Sequence, residues 1–158
     1  MQRINKFRVF HKPTGKMFYP TDDLESILHY NYIQHNDQLV LTMDGKVALY
    51  HCDRAYLRIS RDFIPLEYIG RKDENDKEIY EGDIMSPKEY LKHYGNQVIK
   101  WSDDSAGFIF GEDLSPDECE EVIGNIYEGL HSGEKCDMIE EWKKNISEQS
   151  QNHSKGIK

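Results

Sequence analysis

Cysteine is scarce in this 158-residue sequence, and long apolar runs are absent from it. Its three Cys stand at irregular spacing, which makes neither a disulfide framework nor a zinc-binding pattern. No apolar run approaches the roughly 20 residues that a membrane-spanning helix needs. Residues 1–6 are basic but lack the apolar segment of a secretory signal. We therefore expect a cytoplasmic protein without membrane contact, in a reducing environment.

Sequence motifs that carry catalytic or metal chemistry are missing as well. There is no HExxH, GxSxG, P-loop or GxGxxG pattern, and the seven His are scattered. His51, Cys52 and Asp53 are three good ligand types in a row, but adjacent strand residues point to opposite faces. Cys119 is surrounded by four carboxylates, which would raise the pKa of its thiol and suppress thiolate reactivity. These positions are therefore interpreted as structural.

Carboxylates are so abundant that a catalytic pair could be drawn almost anywhere. The neighbouring acids Asp103 and Asp104 are typical of a turn, and Glu120 and Glu121 are typical of a solvated surface. We therefore expect a protein that is not an enzyme. We predict no catalytic, cofactor-binding or metal-binding residue, and no cofactor.

The net charge of −9 is concentrated in the middle of the sequence. Residues 1–65 carry nine Lys/Arg and seven Asp/Glu (9 − 7 = +2), whereas residues 66–128 carry six and seventeen (6 − 17 = −11). Residues 129–158 carry five of each and are neutral. A nucleic-acid-binding face is normally basic, because it neutralises phosphates. Direct nucleic-acid binding is therefore disfavoured.

Alternating apolar residues and turn chemistry predict a mostly β fold. Asp44 and Gly45 form a favoured two-residue hairpin turn, because both residue types tolerate positive φ. The Asn75–Asp76 pair indicates a second reverse turn. In chain order, strands are predicted in residues 7–10, 17–19, 39–43, 47–50, 66–70, 79–85, 97–101, 108–110 and 122–127.

Capping residues predict a few short helices. Thr21–Asp23 can cap a helix that reaches Tyr30, and Ser86 followed by Pro87 indicates a helix start that ends near Gly95. Residues 115–118 repeat the same capping pattern. Apolar residues at helical spacing predict an amphipathic C-terminal helix over about 134–147. We predict one domain over 1–130, with a possible subdivision near residue 65, the C-terminal helix within 131–147, and a disordered tail over 148–158.

Gly82 interrupts the strand around Tyr80, as expected where a strand bends and chains approach closely. Asp83 can accept hydrogen bonds from backbone amides at that bend. Such an apolar-Gly-Asp-apolar step is common where a small barrel turns a corner. We interpret both residues as structural, within a small antiparallel, partly open β-barrel of SH3-like or similar type.

Residues 68–84 and 121–128 resemble the two long motifs of the YopX family, and residues 6–10 with 16–17 resemble its opening motif. Order and distances agree, so the resemblance covers about residues 5–130. The chain departs from the pattern at Ile69, where Thr is usual, and at Asp76, where Gly is usual. The segment 86–95 and the chain beyond Gly129 are poorly covered by the resemblance.

The resemblance implies a small, mostly β protein of a temperate phage or prophage, in a family without an established enzymatic activity. It supplies no catalytic set. Residues that recur in the family are either fold determinants or parts of an interaction surface, and the sequence leaves both interpretations open. In this chain they are Gly70, Tyr80, Gly82, Asp83, Gly124 and Asn125.

Three functional hypotheses remain. The leading one is a non-catalytic accessory protein that binds another protein or a second copy of itself, with the helix of Trp142 as a docking element. The second is a nucleic-acid-associated regulator, because small β-barrels often bind strands through aromatic faces; its candidate residues are Tyr19, Tyr50, Tyr56, Arg54, Arg58 and Arg61. The third is an acidic DNA mimic that inhibits a host protein.

Overall fold

The structure is a computed structural model that describes residues 6–27, 33–111, 114–133, 139, 140 and 144. The described residues contain twelve strands and three 3₁₀ helices. The strands are β1 Phe7–His11, β2 Lys16–Phe18, β3 Asp37–Leu41, β4 Val47–His51, β5 Tyr56–Ile59, β6 Phe63–Lys72, β7 Glu78–Tyr80, β8 Asp83–Pro87, β9 Gln97–Ser102, β10 Gly107–Phe110, β11 Cys119–Asn125 and β12 Gly129–Leu130. The 3₁₀ helices are Leu24–Ile27, Glu89–Tyr94 and Pro116–Glu118.

These strands form three antiparallel sheets. Their strand orders are β2-β1-β6-β7, β3-β4-β5 and β10-β9-β8-β11-β12. A curled sheet forms a half-barrel, so the prediction of a mostly β fold with short helices is confirmed. The finer prediction of an SH3-like barrel is not confirmed. No helix among the described residues is long and apolar enough to cross a bilayer.

Three hydrophobic clusters hold the sheets together. The first lies between the sheet of β1 and the sheet of β4 and includes Val9 and Leu49, both almost fully buried. The second joins β7 to the five-stranded sheet, and the third surrounds Ile84. Residue 65, near which a subdivision is predicted, lies inside β6, where Pro65 pairs with Val9 of β1. The division into domains stays a prediction.

The predicted hairpins are present, but the turn at Gly45 differs from the prediction. The Gly45 N–H donates to the Thr42 carbonyl and the Thr42 N–H to the Lys46 carbonyl, which makes a three-residue loop and corrects the predicted two-residue turn. Only Gly45 of the Asp-Gly pair has positive φ, at 76°. The turn at residues 73–77 has the same pattern, with Asp76 at φ 64° in the position that favours glycine.

The helix start predicted at Ser86 and Pro87 is wrong. Strand β8 continues through Pro87, which pairs with Cys119 of β11, and the 3₁₀ helix begins only at Glu89. Pairing with a neighbouring strand outweighs the local capping signal. The helix ends as predicted, since Gly95 has φ 69° and its N–H donates to the Lys92 carbonyl.

The other predicted helices are only partly described. In the predicted helix over 21–30, residues Leu24–Ile27 form a 3₁₀ turn, and 28–32 lie outside the described residues. The capping pattern at 115–118 is present, because Ser115 donates from its backbone N–H and its hydroxyl to the Glu118 carboxylate, both at 2.7 Å. The predicted helix over 134–147, including Trp142, and the predicted tail lie outside the described residues except for Ile139, Glu140 and Lys144. No C-terminal helix is therefore described.

Candidate functional site

The carboxylate of Asp83 is a buried charged group at the junction of two sheets. Its Oδ1 accepts from the guanidinium of Arg8, on the other sheet, and from Asn125 Nδ2 at 3.3 Å. Its Oδ2 accepts from the backbone N–H of Tyr80 at 2.8 Å. The predicted hydrogen bond from a backbone amide at this bend is thus present. A buried charge with this many partners holds the two sheets in register.

Tyr80 completes this cluster. The Arg8 guanidinium lies over the Tyr80 ring, 4.6 Å from its centroid. The Tyr80 hydroxyl donates to Glu78 at 2.7 Å, and Glu78 in turn forms an ion pair with Lys6. Burial and the Glu78 hydrogen bond raise the pKa of the Tyr80 phenol, which keeps it a neutral donor. Both oxygens of Asp83 and the face of Tyr80 are occupied by protein groups.

Two glycines of the family motifs lie in tightly packed places, Gly82 against side chains and Gly124 against another backbone segment. Gly82 has φ 81°, and a Cβ placed there would approach Ile126 Cγ1 to 3.2 Å. A Cβ at Gly124 would lie 2.5 Å from the Gly129 carbonyl oxygen. Gly124 therefore has no room for a side chain, and a side chain at Gly82 would be strained by its positive φ and by the contact with Ile126.

A second buried polar cluster surrounds Asp37, a residue that sequence reasoning missed. Asp37 accepts from the guanidinium of Arg58, lies 3.0 Å from His51 Nδ1, and accepts from the Gln34 backbone N–H at 2.7 Å. Asp53, two residues after His51, instead accepts from an asparagine amide of a neighbouring turn at 2.8 Å. His51 and Asp53 therefore have separate partners and do not converge on one point. This agrees with the structural interpretation made from the sequence.

Cys119 is buried on β11. Burial, and secondarily the Glu118 charge, raise the pKa of its thiol to about 11. The direction matches the sequence argument, but burial is the larger cause. Among the adjacent acid pairs, Asp103 accepts from Trp101 Nε1 at 3.0 Å, and Glu121 accepts from a side-chain amide at 3.1 Å.

The residues considered for nucleic-acid binding do not share one surface. Tyr19 packs against Tyr80, with centroids 6.0 Å apart, beside the first sheet. Tyr50 and Tyr56 lie on β4 and β5 of another sheet, and Tyr50 pairs with Leu57, so the two tyrosines occupy opposite faces. Arg58 is held by the buried Asp37 carboxylate.

A cavity of about 380 Å³ opens beside the Gly82 bend, and it is lined by Glu67, Glu81, Trp101 and Phe108. We call it the acidic cavity. Trp101 and Phe108 face each other across the β9–β10 pair, with ring centroids 5.2 Å apart and planes at 83°. Trp101 is 44% exposed.

The backbone fixes both carboxylates of the acidic cavity. Glu67 belongs to β6, and its carbonyl accepts from the backbone N–H of Glu81 at 2.9 Å. The next residue, Gly82, donates its N–H to the Ile99 carbonyl of β9 at 2.8 Å, so the cavity lies at the junction of two sheets. Sequence reasoning missed this group of four, because its members come from four separate segments.

The surroundings of the acidic cavity disfavour the charged forms of Glu81 and Tyr127. Burial and the neighbouring Glu67 charge raise the pKa of the Glu81 carboxyl, and hydrogen bonding from the Trp101 backbone opposes part of that rise. Burial and the Glu81 charge also raise the pKa of Tyr127 to about 12. Glu81 forms no ion pair with any residue that the structure describes. The raised pKa of Glu81 thus follows from its partly buried position beside a second carboxylate.

The described residues contain no group of three or more His, Cys, Asp or Glu that could hold a metal ion.

These observations describe a small antiparallel β protein in which Tyr80 and Asn125 contact the buried ion pair of Arg8 and Asp83. The sequence profile described as "YopX protein" matches residues 6–129, which is more than half of the chain. The chain therefore belongs to the YopX family, and the resemblance noted from its motifs is confirmed.

Two solved structures are similar to this chain. Protein EF1440 from Enterococcus faecalis is 23% identical, with a TM-score of 0.46, and the match covers 80% of this chain and 96% of that one. Protein YopX from Bacillus subtilis is 14% identical, with a TM-score of 0.39, and the match covers 81% and 96%. No curated protein matches the chain.

Proposed function

We propose that the chain is a non-catalytic accessory protein of a phage or prophage that binds a protein partner in the cytoplasm of the bacterial host. The phage setting is what the YopX resemblance implies. The observation that carries protein binding is the acidic cavity, where Glu81 and an exposed Trp101 ring lie together at the surface of the acidic half of the chain. Aromatic residues at a polar, partly open surface are typical of protein interfaces.

The placement of the other polar groups supports a role without catalysis. Asp83 is enclosed by Arg8, Asn125 and a backbone amide, and His51 is enclosed with Asp37. A general acid or base needs to reach a substrate proton. Asp83 and His51 instead have protein partners and are buried, which suits an architectural role.

The test begins with affinity capture from a bacterial lysate at low and high salt, using the full chain. Each captured protein is then purified and titrated against the chain by calorimetry. A saturable 1:1 or symmetric interaction that weakens with salt is expected, because the acidic half attracts basic surfaces. Absence of any interaction that survives purification would contradict the proposal.

Two further measurements separate the competing outcomes. Light scattering tests whether the partner is a second copy; a strict monomer, unchanged in state when residues 134–158 are deleted, removes that version. A gel shift at low salt with single- and double-stranded DNA is expected to be flat. A salt-dependent shift would replace this proposal with the nucleic-acid-associated regulator.

A further inference from the structure

We propose that two copies of the chain associate through the free edge of β5, so that their three-stranded sheets join into one continuous antiparallel sheet. β5 ends the strand order β3-β4-β5, and no strand among the described residues pairs with its outer edge. An edge strand presents backbone groups to which a second strand can bind. The inference goes beyond the proposed function, because β5 belongs to the first half of the chain and shares no residue with the acidic cavity.

The hydrogen-bond pattern shows which residues of β5 have their backbone groups on the free edge. The Ser60 N–H donates to the Val47 carbonyl, next to β4, at 3.0 Å. Because backbone groups alternate in direction along an antiparallel strand, those of Arg58 also point toward β4. The N–H and carbonyl groups of Leu57 and Ile59 therefore point away from β4, along the edge that a second strand would use.

The same two residues carry exposed aliphatic side chains. Leu57 is 56% exposed and Ile59 is 55% exposed, and no other aliphatic side chain is exposed in the strands that the structure describes. Both lie on the outer face of the sheet beside Tyr50 and Ala48, their partners on β4, whereas Leu49 on the inner face belongs to the first hydrophobic cluster. Natural edge strands are usually blunted by charge, proline or a bulge, so an apolar edge of this kind is suited to pairing.

A second copy fits this edge in a symmetric register. A two-fold axis at Arg58 pairs Leu57 of one copy with Ile59 of the other, and the same pair recurs on the far side of the axis. Both pairs join residues whose backbone groups point outward, so each pair exchanges its hydrogen bonds, and the aliphatic side chains of both copies meet on the outer face. The two Arg58 side chains meet on the inner face, where each guanidinium donates to the Asp37 carboxylate of its own copy.

The residues that flank β5 favour the same register. It brings Arg54 of one copy toward Asp62 of the other at each end of the paired strands, because the two positions are equally far from the axis. Opposite charges at these positions add attraction and help to specify the register. If the axis moved by one residue toward the C-terminus, Leu57 would face Arg61 and lose its aliphatic partner. Charge and hydrophobic pattern together therefore favour a second copy as the occupant of the edge.

The oligomeric state of the full chain tests the pairing. Sedimentation over a range of concentrations is expected to show a reversible dimer, with twice the 18.6 kDa mass of one chain. Leu57→Lys places a charge at the paired edge and should weaken dimerisation at least about tenfold. The matched control is Met43→Lys, which should leave the dimer unchanged, because Met43 is fully exposed and belongs to the β3–β4 turn and not to β5.

Two results of this measurement would overturn the inference. One is a wild-type chain that stays monomeric at about 100 µM. The other is a Leu57→Lys variant that dimerises as well as the wild type, with circular dichroism and thermal unfolding showing that it is folded.

Disulfide crosslinking tests the register. Leu57→Cys and Ile59→Cys chains are mixed and oxidised mildly, and the wild-type chain serves as the control for the native cysteines. Hydrogen-bonded residues of paired antiparallel strands have Cα atoms about 5.5 Å apart, which a disulfide spans, so the mixture should crosslink. Each variant alone should crosslink far less, because identical residues are not opposite each other in this register. Equal crosslinking of the mixture and of the single variants would contradict a two-fold axis at Arg58.

Capture of a lysate partner separates this inference from the proposed function. If Leu57→Lys is monomeric but still captures the partner, both stand and use separate surfaces. If the β5 dimer forms but no other protein is captured, the pairing stands and binding through the acidic half fails. If the wild-type chain is monomeric and loses its partner in Leu57→Lys, a strand of a different protein occupies the edge, and the proposed second copy is wrong.

Discussion

Glu81 and Asp83 lie on either side of Gly82, and their surroundings are opposite. Asp83 is fully buried, and its two oxygens accept from Arg8, Asn125 and a backbone amide. Glu81 is half-buried in the acidic cavity, beside a second carboxylate and without an ion-pair partner among the described residues. A compact protein tolerates such an unmatched charge most readily where the charge has a use outside folding. One bend thus carries a carboxylate that is fully bonded to protein groups and a carboxylate that forms no ion pair within the described part of the chain.

Removal of the partner of Asp83 is expected to have the largest effect. Arg8→Met leaves a buried carboxylate without its counter-charge, so we expect the free energy of unfolding to fall by about 3–5 kcal/mol. Urea unfolding followed by circular dichroism measures it. The matched control is Lys6→Met, which breaks the exposed ion pair with Glu78 and should cost about 1 kcal/mol or less. Equal losses in the two variants would show that Asp83 does not depend on Arg8.

A substitution at the Gly82 bend is expected to have the second-largest effect on stability. Gly82→Ala places a methyl group 3.2 Å from Ile126 Cγ1 on a residue with φ 81°, and we expect a loss of about 1–3 kcal/mol. Gly70→Ala is the control for strain alone, because Gly70 has φ 85° but no atom within 4 Å of the added carbon. Thermal unfolding of both variants should rank Gly82→Ala as the less stable. The reverse order would contradict the close approach at the bend.

Glu81→Gln is expected to have the smallest effect and the opposite sign. The native state raises the pKa of Glu81, so it binds the proton more tightly than the unfolded chain does. The carboxylate therefore lowers stability as pH rises from the ordinary value near 4.5 through the native pKa, and glutamine removes that loss. Unfolding at pH 4 and pH 7 should show a stabilisation in Glu81→Gln that is larger at pH 7. Stabilisation confined to pH 4 would contradict this account.

Local signals in the sequence predicted the parts of the fold that local chemistry controls. The hairpin at Gly45 and the bend at Gly82 depend on a few adjacent residues, and so does the hydrogen bond from the Tyr80 amide to Asp83. The helix start at Ser86 was wrong because Pro87 pairs with a strand more than 30 residues away, which no cap reveals.

The assembled sites could not be predicted from the sequence, because they join distant segments. Arg8 meets Asp83 across 75 positions of sequence. The acidic cavity combines two strands of one hairpin with β6 and with the connection that follows β7. The acidic excess of residues 66–128 was the available signal for that cavity, but charge alone does not show which carboxylates are brought together.

The contrast between Glu81 and Asp83 is tested most directly by the free energies of unfolding of two variants, Glu81→Gln and Asp83→Asn, measured side by side at pH 7. Both substitutions replace one carboxylate by its amide, and the two positions are separated only by Gly82. We predict that Glu81→Gln stabilises the protein and that Asp83→Asn destabilises it strongly, because Arg8 then loses its counter-charge. Strong destabilisation by both substitutions would show that Glu81 is as architectural as Asp83 and would contradict the account.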